Sequence, residues 1–194
     1  MKNSNVKMLL FSTIAVLALS CNSGSKETEK NNETFDEAEP ISDPLIPVIG
    51  CEFYISERYE QKQFTKDDPD RRTQVVLLAK DFEGYKNLIK LVSNSWVDGY
   101  YMRPRTDRAD LEKYHEDLIV CSACIAGEVP RKILSGDLEG AEEAVQWYKR
   151  VFGDNYYLEL QRHEVKDPNQ RANRETFPLQ QRANAQLIEL ARKY

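Results

Sequence analysis

The sequence LIVCSACIAGEVPR, from Leu118 to Arg131, decides the fold of this 194-residue chain. Its first four residues, up to Cys121, are apolar and largely β-branched, a composition typical of a buried strand. Gly127 then permits a tight turn, and Pro130 is tolerated in the first turn of the helix that follows. Ligands of α/β proteins bind at the carboxyl ends of strands. Cys124, which comes just after this strand, is therefore a candidate functional residue.

Strands and helices alternate around this stretch. Three further strands are predicted at Pro47–Ile55, Gln74–Ala79 and Asn155–Leu160. Helices are predicted at Asp81–Trp96, Asp107–Tyr114, Glu128–Leu134, Asp137–Val151 and Pro178–Tyr194. This order predicts an α/β fold with a mostly parallel sheet or part of a barrel. The four visible strands are about half the number in a closed parallel barrel.

Two of the predicted helices carry an apolar stripe at spacings of three and four residues, and we expect both stripes to face the core. The first consists of Phe82, Tyr85, Ile89, Val92 and Trp96. The second consists of Ala141, Ala144, Val145, Tyr148 and Phe152.

Composition and charge argue against some classes of function. The net charge is −5 and there is no run of lysine and arginine, so we expect no nucleic-acid binding by this chain alone. The four cysteines do not suggest a disulfide framework. Cys121 and Cys124 form a CxxC pair, which can be redox-active or hold zinc. Because this pair lies along a strand, we favour structural or single-ligand roles over a redox motif.

The N-terminal segment has the parts of a secretory signal. Lys2 and Lys7 precede the apolar run Met8–Leu19. ALSC at 18–21 resembles the lipobox of bacterial lipoproteins, which predicts lipidation at Cys21 and a membrane-anchored location. The alternative is a buried or amphipathic N-terminal helix. Residues 22–43 are almost free of apolar side chains and predict a flexible tether.

Three polar features of the folded part are candidate site residues with open alternatives. Glu52 lies inside an apolar strand, either facing solvent at a sheet edge or acting as a metal or hydrogen-bond ligand. His163 at a strand end is a ligand, a general base or simply a hydrogen-bonded side chain. The loop holding Arg103 and Arg105 either binds a phosphate or a base, or pairs with carboxylates.

The residues from about Pro44 to Tyr194 resemble the polymerase-and-histidinol-phosphatase (PHP) domain at the start of the bacterial DNA polymerase III alpha subunit. The matching words are PVIGCEFYI at 47–55, VVLLAKDFEGYKNLIKLVS at 75–93, YMRPRTDRADLEKYHEDLIVCSACIAGEVP at 101–130, AEEAVQWYKRVFGDNYYLELQRHE at 141–164 and PLQQRANAQLIELARKY at 178–194. They resemble the version found in Bacteroides-like bacteria. The domains implied are a lipoprotein-like signal peptide at 1–21, a tether at 22–43 and a partial PHP domain at 44–194.

The resemblance implies a distorted β/α barrel with a cluster of zinc, manganese or magnesium at the strand ends. It also implies a cytoplasmic nucleotidyltransferase that works with DNA and other replisome subunits. Glu52 and Cys124 match two of the family's metal ligands, whereas Gln74 stands at a position where the family has histidine. The HxH and DH ligands would precede Pro44 and the DxH ligand would follow Tyr194. We therefore expect an incomplete site with no bound metal and no catalytic residue.

Three hypotheses follow for the function. The first is a fragment of a DNA polymerase III alpha subunit that covers part of its PHP domain and is inactive alone, because the polymerase catalytic region lies beyond the match. The second is an exported lipoprotein, anchored through Cys21, that uses a PHP-derived binding module. The third is a residual metal-dependent hydrolase that uses Glu52, Cys124 and His163.

Overall fold

The computed structural model describes residues 47–194. The strands are β1 (Gly50–Ser56), β2 (Arg72–Ala79), β3 (Arg105–Thr106), β4 (Leu118–Cys121) and β5 (Tyr156–Tyr157). The helices are α1 (Phe82–Val97), α2 (Arg108–Lys113), α3 (Glu128–Ser135), α4 (Leu138–Phe152) and α5 (Phe177–Lys193). This is the predicted mixed α/β class, with a sheet and flanking helices. The predicted signal peptide, tether and Cys21 lie outside the described residues.

The strands form one sheet in the order β3-β1-β2-β4-β5. β1 is parallel to β3, β4 is parallel to β5, and β2 is antiparallel to both of its neighbours. Four of the five strands therefore run in one direction and β2 alone is reversed. Because β2 lies in the middle of the sheet, its two ladders are antiparallel, and the sheet is mixed rather than mostly parallel as predicted. The reason is the connection between β1 and β2, residues 57–71, which contains no helix and returns the chain like a long hairpin.

The predicted strands differ from the structure in two respects. The prediction of a strand over Asn155–Leu160 is wrong for most of its length, because only Tyr156 and Tyr157 pair with β4. Because β4 ends at Cys121, the residues after Tyr157 have no strand beside them to pair with. The Glu159 N–H donates instead to the side-chain oxygen Ser122 Oγ at 2.8 Å. β3 was not predicted, because its two residues sit inside an aromatic and basic loop with no strand periodicity.

The core lies between the sheet and its helices. Its fully buried side chains include Leu77, Val120, Leu111 and Leu91. The predicted stripe of α4 is confirmed, since the following side chains are all buried: Ala141, Ala144, Val145, Tyr148 and Phe152. In residues 47–194, no helix is both long and apolar enough to cross a bilayer.

The predicted core face of α1 is wrong at three of its five positions, whereas Tyr85 is half-buried and Val92 packs against the core. Phe82, Ile89 and Trp96 are 66%, 45% and 58% exposed, and the buried positions of α1 are instead Gly84, Leu88, Leu91 and Ser95. The helix carries two stripes of residues that could face the core. The stripe that contains Gly84 packs against the rest of the domain. A Cβ at Gly84 would lie 2.0 Å from the Asp117 carbonyl oxygen, so no larger residue fits at this contact.

Arg105 holds the long β1–β2 connection against the sheet. Its side chain is 0% exposed, its Nη1 donates to Asp70 Oδ1 at 3.1 Å, and its Nε donates to the Gly99 carbonyl at 3.0 Å. Its Nη2 donates to the carbonyls of Tyr59 and Gln61 at 2.7 and 2.8 Å. The predicted alternative of pairing with a carboxylate is therefore confirmed for Arg105.

Candidate functional site

The candidate site is built around Cys124, which lies just past the carboxyl end of β4. Ala123, the residue before it, has a φ of 61°, a left-handed conformation that costs free energy in any residue with a Cβ. That turn directs the thiol back toward β2. Cys124 Sγ donates a hydrogen bond to Gln74 Oε1 at 3.1 Å and accepts one from the Ala126 N–H at 3.3 Å.

Gly127 closes the turn, for a reason that the sequence did not predict. Its φ of −62° is available to any residue, so conformational freedom does not require glycine here. The requirement is space, because a Cβ at this position would lie 2.0 Å from the Ser122 carbonyl oxygen. The Gly127 N–H also donates to the Cys124 carbonyl at 2.8 Å. Glycine therefore lets the turn fold tightly against the end of β4.

Glu52 lies on β1 with its side chain exposed, opposite Val76 of β2. β3 pairs with β1 only at Tyr54 and Ile55. Within residues 47–194, Glu52 therefore lies beside β2 on one side of β1 and has no neighbouring strand on the other side. The pKa of Glu52 is raised, first by partial desolvation and then by the negative charge of Glu159. Its exposure agrees with the solvent-facing alternative, and its role as a ligand stays a prediction.

Glu159 is a site residue that sequence reasoning missed. It is 4% exposed, and its Oε1 accepts a hydrogen bond from Gln161 Nε2 at 2.5 Å while its Oε2 has no partner. Burial first, and then the charge of Glu159, raise the pKa of Cys121 to about 12. The available signal was a carboxylate inside the apolar run NYYLEL, the same pattern that drew attention to Glu52.

Glu159 and Cys124 line a small cavity together with amide side chains. The other polar lining residues are Gln161, Gln180 and Asn184. The cavity has about 10 Å³ of space for a water-sized sphere, which is room for a single water molecule. An organic substrate does not fit in it.

His163 is held by a buried amide. Its backbone N–H donates to Gln180 Oε1 at 2.8 Å, so the Gln180 Nε2 that lies 2.6 Å from the ring is a donor and His163 Nδ1 is an acceptor. Gln180 is 2% exposed, whereas the histidine is exposed. These contacts agree with the alternative in which His163 is simply a hydrogen-bonded side chain.

The described residues do not by themselves fit the metal cluster that the family implies. Nowhere in residues 47–194 do three or more histidine, cysteine or acidic side chains come close enough to hold a metal ion. Glu52, Cys124 and His163 are therefore not brought together as one ligand set. The Cys124 thiol and the Gln74 amide, which we predict to match two of the family's ligand positions, are hydrogen-bonded to each other.

A five-stranded mixed sheet with helices packed on it defines an α/β class of protein, and this arrangement is consistent with part of a PHP-type barrel. The model of the PHP domain family matches residues 11–163. The chain therefore belongs to the PHP domain family.

The curated relatives that it matches are DNA polymerase III alpha subunits. The chain is 49% identical to that of Borreliella burgdorferi over 126 residues, which is 63% of this chain and 11% of the relative. It is 40% identical to that of Aquifex aeolicus over 156 residues, 77% of this chain and 12% of the relative. It is 35% identical to that of Thermus aquaticus over 150 residues, 76% of this chain and 11% of the relative. The chain spans about a tenth of the length of these relatives.

Proposed function

We propose that this chain is a PHP-domain segment of a DNA polymerase III alpha subunit and has no catalytic turnover of its own. The observation that carries the proposal is the hydrogen bond of 3.1 Å from Cys124 Sγ to Gln74 Oε1. A cysteine that binds a metal is a thiolate, so metal binding at Cys124 would have to replace this contact with the amide oxygen. The direct contact between the two side chains supports the proposal for that reason.

The chemistry of the two donors supports the same proposal. Zinc in proteins is bound by thiolate, imidazole and carboxylate, and the neutral amide of Gln74 is a weaker donor than the histidine that the family has there. Two-metal hydrolysis needs a fuller ligand set than Glu52 and Cys124. In this proposal polymerisation, DNA and the other replisome subunits belong to the whole alpha subunit, and a cytoplasmic location goes with it. A Bacteroides-like origin is proposed from the sequence resemblance alone.

Metal analysis of the full chain tests this proposal. We expect zinc and manganese contents well below one equivalent after dialysis, measured by plasma mass spectrometry. We also expect no hydrolysis of bis(p-nitrophenyl) phosphate when manganese is added. A full equivalent of metal, with hydrolysis that disappears in Cys124→Ser, would contradict the proposal. That result would favour the residual hydrolase instead.

An exported lipoprotein with a PHP-derived binding module is the second candidate. It rests on the apolar run Met8–Leu19 and the lipobox-like residues ending at Cys21. The family match begins at residue 11, so both assignments use the same residues. Growth of cells with a labelled fatty acid separates them. Label on the wild-type chain that is lost in Cys21→Ser supports export, and an unlabelled chain removes this candidate.

A further inference from the structure

Two arginines from separate parts of the chain converge on one tyrosine. The guanidinium carbons of Arg72, on β2, and Arg103, in the loop before β3, each lie 5.5 Å from the centre of the Tyr54 ring. Tyr54 pairs with Gln74 in the sheet, so Arg72, two residues before Gln74, lies on the same face of the sheet as Tyr54. We call Tyr54, Arg72 and Arg103 the Tyr54 arginine cluster.

The Tyr54 arginine cluster has more positive charge than its surroundings neutralise. Asp70 Oδ2 lies 3.1 Å from Arg72 Nε, but Asp70 also forms an ion pair with Arg105 Nη1 through Oδ1 at 3.1 Å. One negative charge is therefore shared by two arginines. Arg103 forms no ion pair in the described part of the chain. Its hydrogen bond goes from Nη1 to Tyr54 Oη at 3.4 Å. Arg72 Nη1 is buried with no hydrogen-bond partner.

A third guanidinium adds to this excess. Arg131 Nη1, from α3, donates to the Arg72 backbone carbonyl at 2.6 Å, and Arg131 also lacks an ion pair within residues 47–194. The ring attracts each guanidinium, but two like charges at one ring also repel each other. A bound anion would turn that repulsion into attraction.

Arginine is the side chain best suited to hold a phosphate. Its planar guanidinium presents several N–H donors in a fixed fork that matches phosphate oxygens. Arg103 is exposed and reaches the cluster from the solvent side, whereas Arg72 is fixed on the sheet by Asp70. The two side chains therefore offer donors from two directions with one of them already positioned.

We propose that the Tyr54 arginine cluster binds a phosphate group, either inorganic phosphate or the 5′-phosphate of a nucleotide. Arg103 and Arg72 supply the charge, and the Tyr54 ring holds the two guanidinium groups in place. The site needs no metal ion, so it is independent of the proposed function. Two of its residues lie on the strands that carry Glu52 and Gln74: Tyr54 is on β1 and Arg72 is the first residue of β2.

Calorimetric titration of the full chain tests the site, with inorganic phosphate and 5′-AMP as probes at constant ionic strength. We expect saturable binding of both probes. Arg103→Gln should weaken both by about tenfold or more, because it removes a charge-assisted hydrogen bond. Arg192→Gln is the matched control, since it removes the same charge from an exposed position on α5. It should leave both affinities unchanged.

Three outcomes would overturn the site. They are no saturable binding of phosphate by the wild-type chain, equal weakening by Arg103→Gln and Arg192→Gln, or binding of 5′-AMP without binding of phosphate. Arg72→Lys is a second variant that keeps the charge but loses the planar fork, and it should also weaken phosphate binding. Because Arg103 is exposed, loss of binding in Arg103→Gln with an unchanged circular dichroism spectrum separates binding from folding.

Discussion

Cys124 and Gln74, which are 50 positions apart in the chain, meet through a hydrogen bond of 3.1 Å between Sγ and Oε1. The contact joins a residue three positions after the end of β4 to the third residue of β2, and β4 and β2 are neighbours in the sheet. The resemblance to the PHP domain predicts that these two positions match metal ligands of the family, with glutamine in place of histidine at position 74.

Restoring the family's residue should bring back metal affinity. We expect Gln74→His to raise zinc affinity by about tenfold or more, because imidazole adds a ligand next to the Cys124 thiol. Competition with a chromophoric chelator measures the change. Gln63→His is the matched control, since it adds a histidine at an exposed position in the β1–β2 connection. Equal gains in both variants would show that the position of the new ligand is unimportant.

Arg105 should be among the most costly side chains to remove. We expect Arg105→Ala to lower the free energy of unfolding by roughly 3–5 kcal/mol, because it leaves the buried Asp70 with Arg72 alone and three backbone carbonyls without their donor. Urea denaturation measures this loss. Arg192→Ala, on the exposed side of α5, should change stability by less than about 0.5 kcal/mol. A similar small effect at Arg105 would mean that the connection is held by other contacts.

The two glycines that flank α3 should respond differently to alanine. We expect Gly127→Ala to cost roughly 3 kcal/mol, because its Cβ would overlap the Ser122 carbonyl and backbone must move. Gly136→Ala should cost only about 1 kcal/mol, since its Cβ meets open space and the penalty comes from a φ of 86°. Thermal and urea unfolding of both variants measure the difference, and the reverse order would contradict the assigned causes.

The buried Cys121 thiol should make stability depend on alkaline pH. Its pKa is raised from 9.0 to about 12 by burial and by Glu159, so the folded state keeps a proton that the unfolded chain releases. This contribution to stability is intact below pH 9 and is lost as the pH rises from 9 to 12. The free energy of unfolding should fall by roughly 1 kcal/mol between about pH 8 and 10. Cys121→Ala should show a shallower decline, and an unchanged slope would contradict this cause.

The corrected orientation of α1 can be tested directly. We expect Leu91→Ala to lower the free energy of unfolding by roughly 2–5 kcal/mol, because this side chain is fully buried. Ile89→Ala removes a similar aliphatic side chain from the exposed stripe and should cost well under half as much. Equal losses in urea denaturation would mean that both stripes of the helix are covered in solution.

Patterns within a single segment predicted those helices and strands that depend only on neighbouring residues. β4 and the buried face of α4 match their predictions, because strand composition and helical spacing are set by neighbouring residues. The predicted start of α1 is also local, because the Asp81 carboxylate caps the helix by accepting from the Gly84 N–H at 2.9 Å. The core face of α1 did not match, since two stripes were equally periodic and the contact of Gly84 with Asp117 chose between them.

The site was predictable only in part. Cys124 was placed correctly after β4, because that position follows from one strand and one turn. The proximity of Glu159 to Glu52 and Cys121 was not predictable, since these residues come from three strands or strand ends that pairing brings together. The same holds for Arg72 and Arg103 around Tyr54.

The amino-acid sequence by itself determined the mixed α/β class, the strand that delivers Cys124 and the glutamine at a family histidine position. Each of these depends on residue identity or on contacts within a few positions. Only the tertiary structure decided the reversed direction of β2, the face of α1 that is buried and the partners of Arg105. Those features depend on which distant segments meet, and periodicity tells which residues share a face but not what that face contacts.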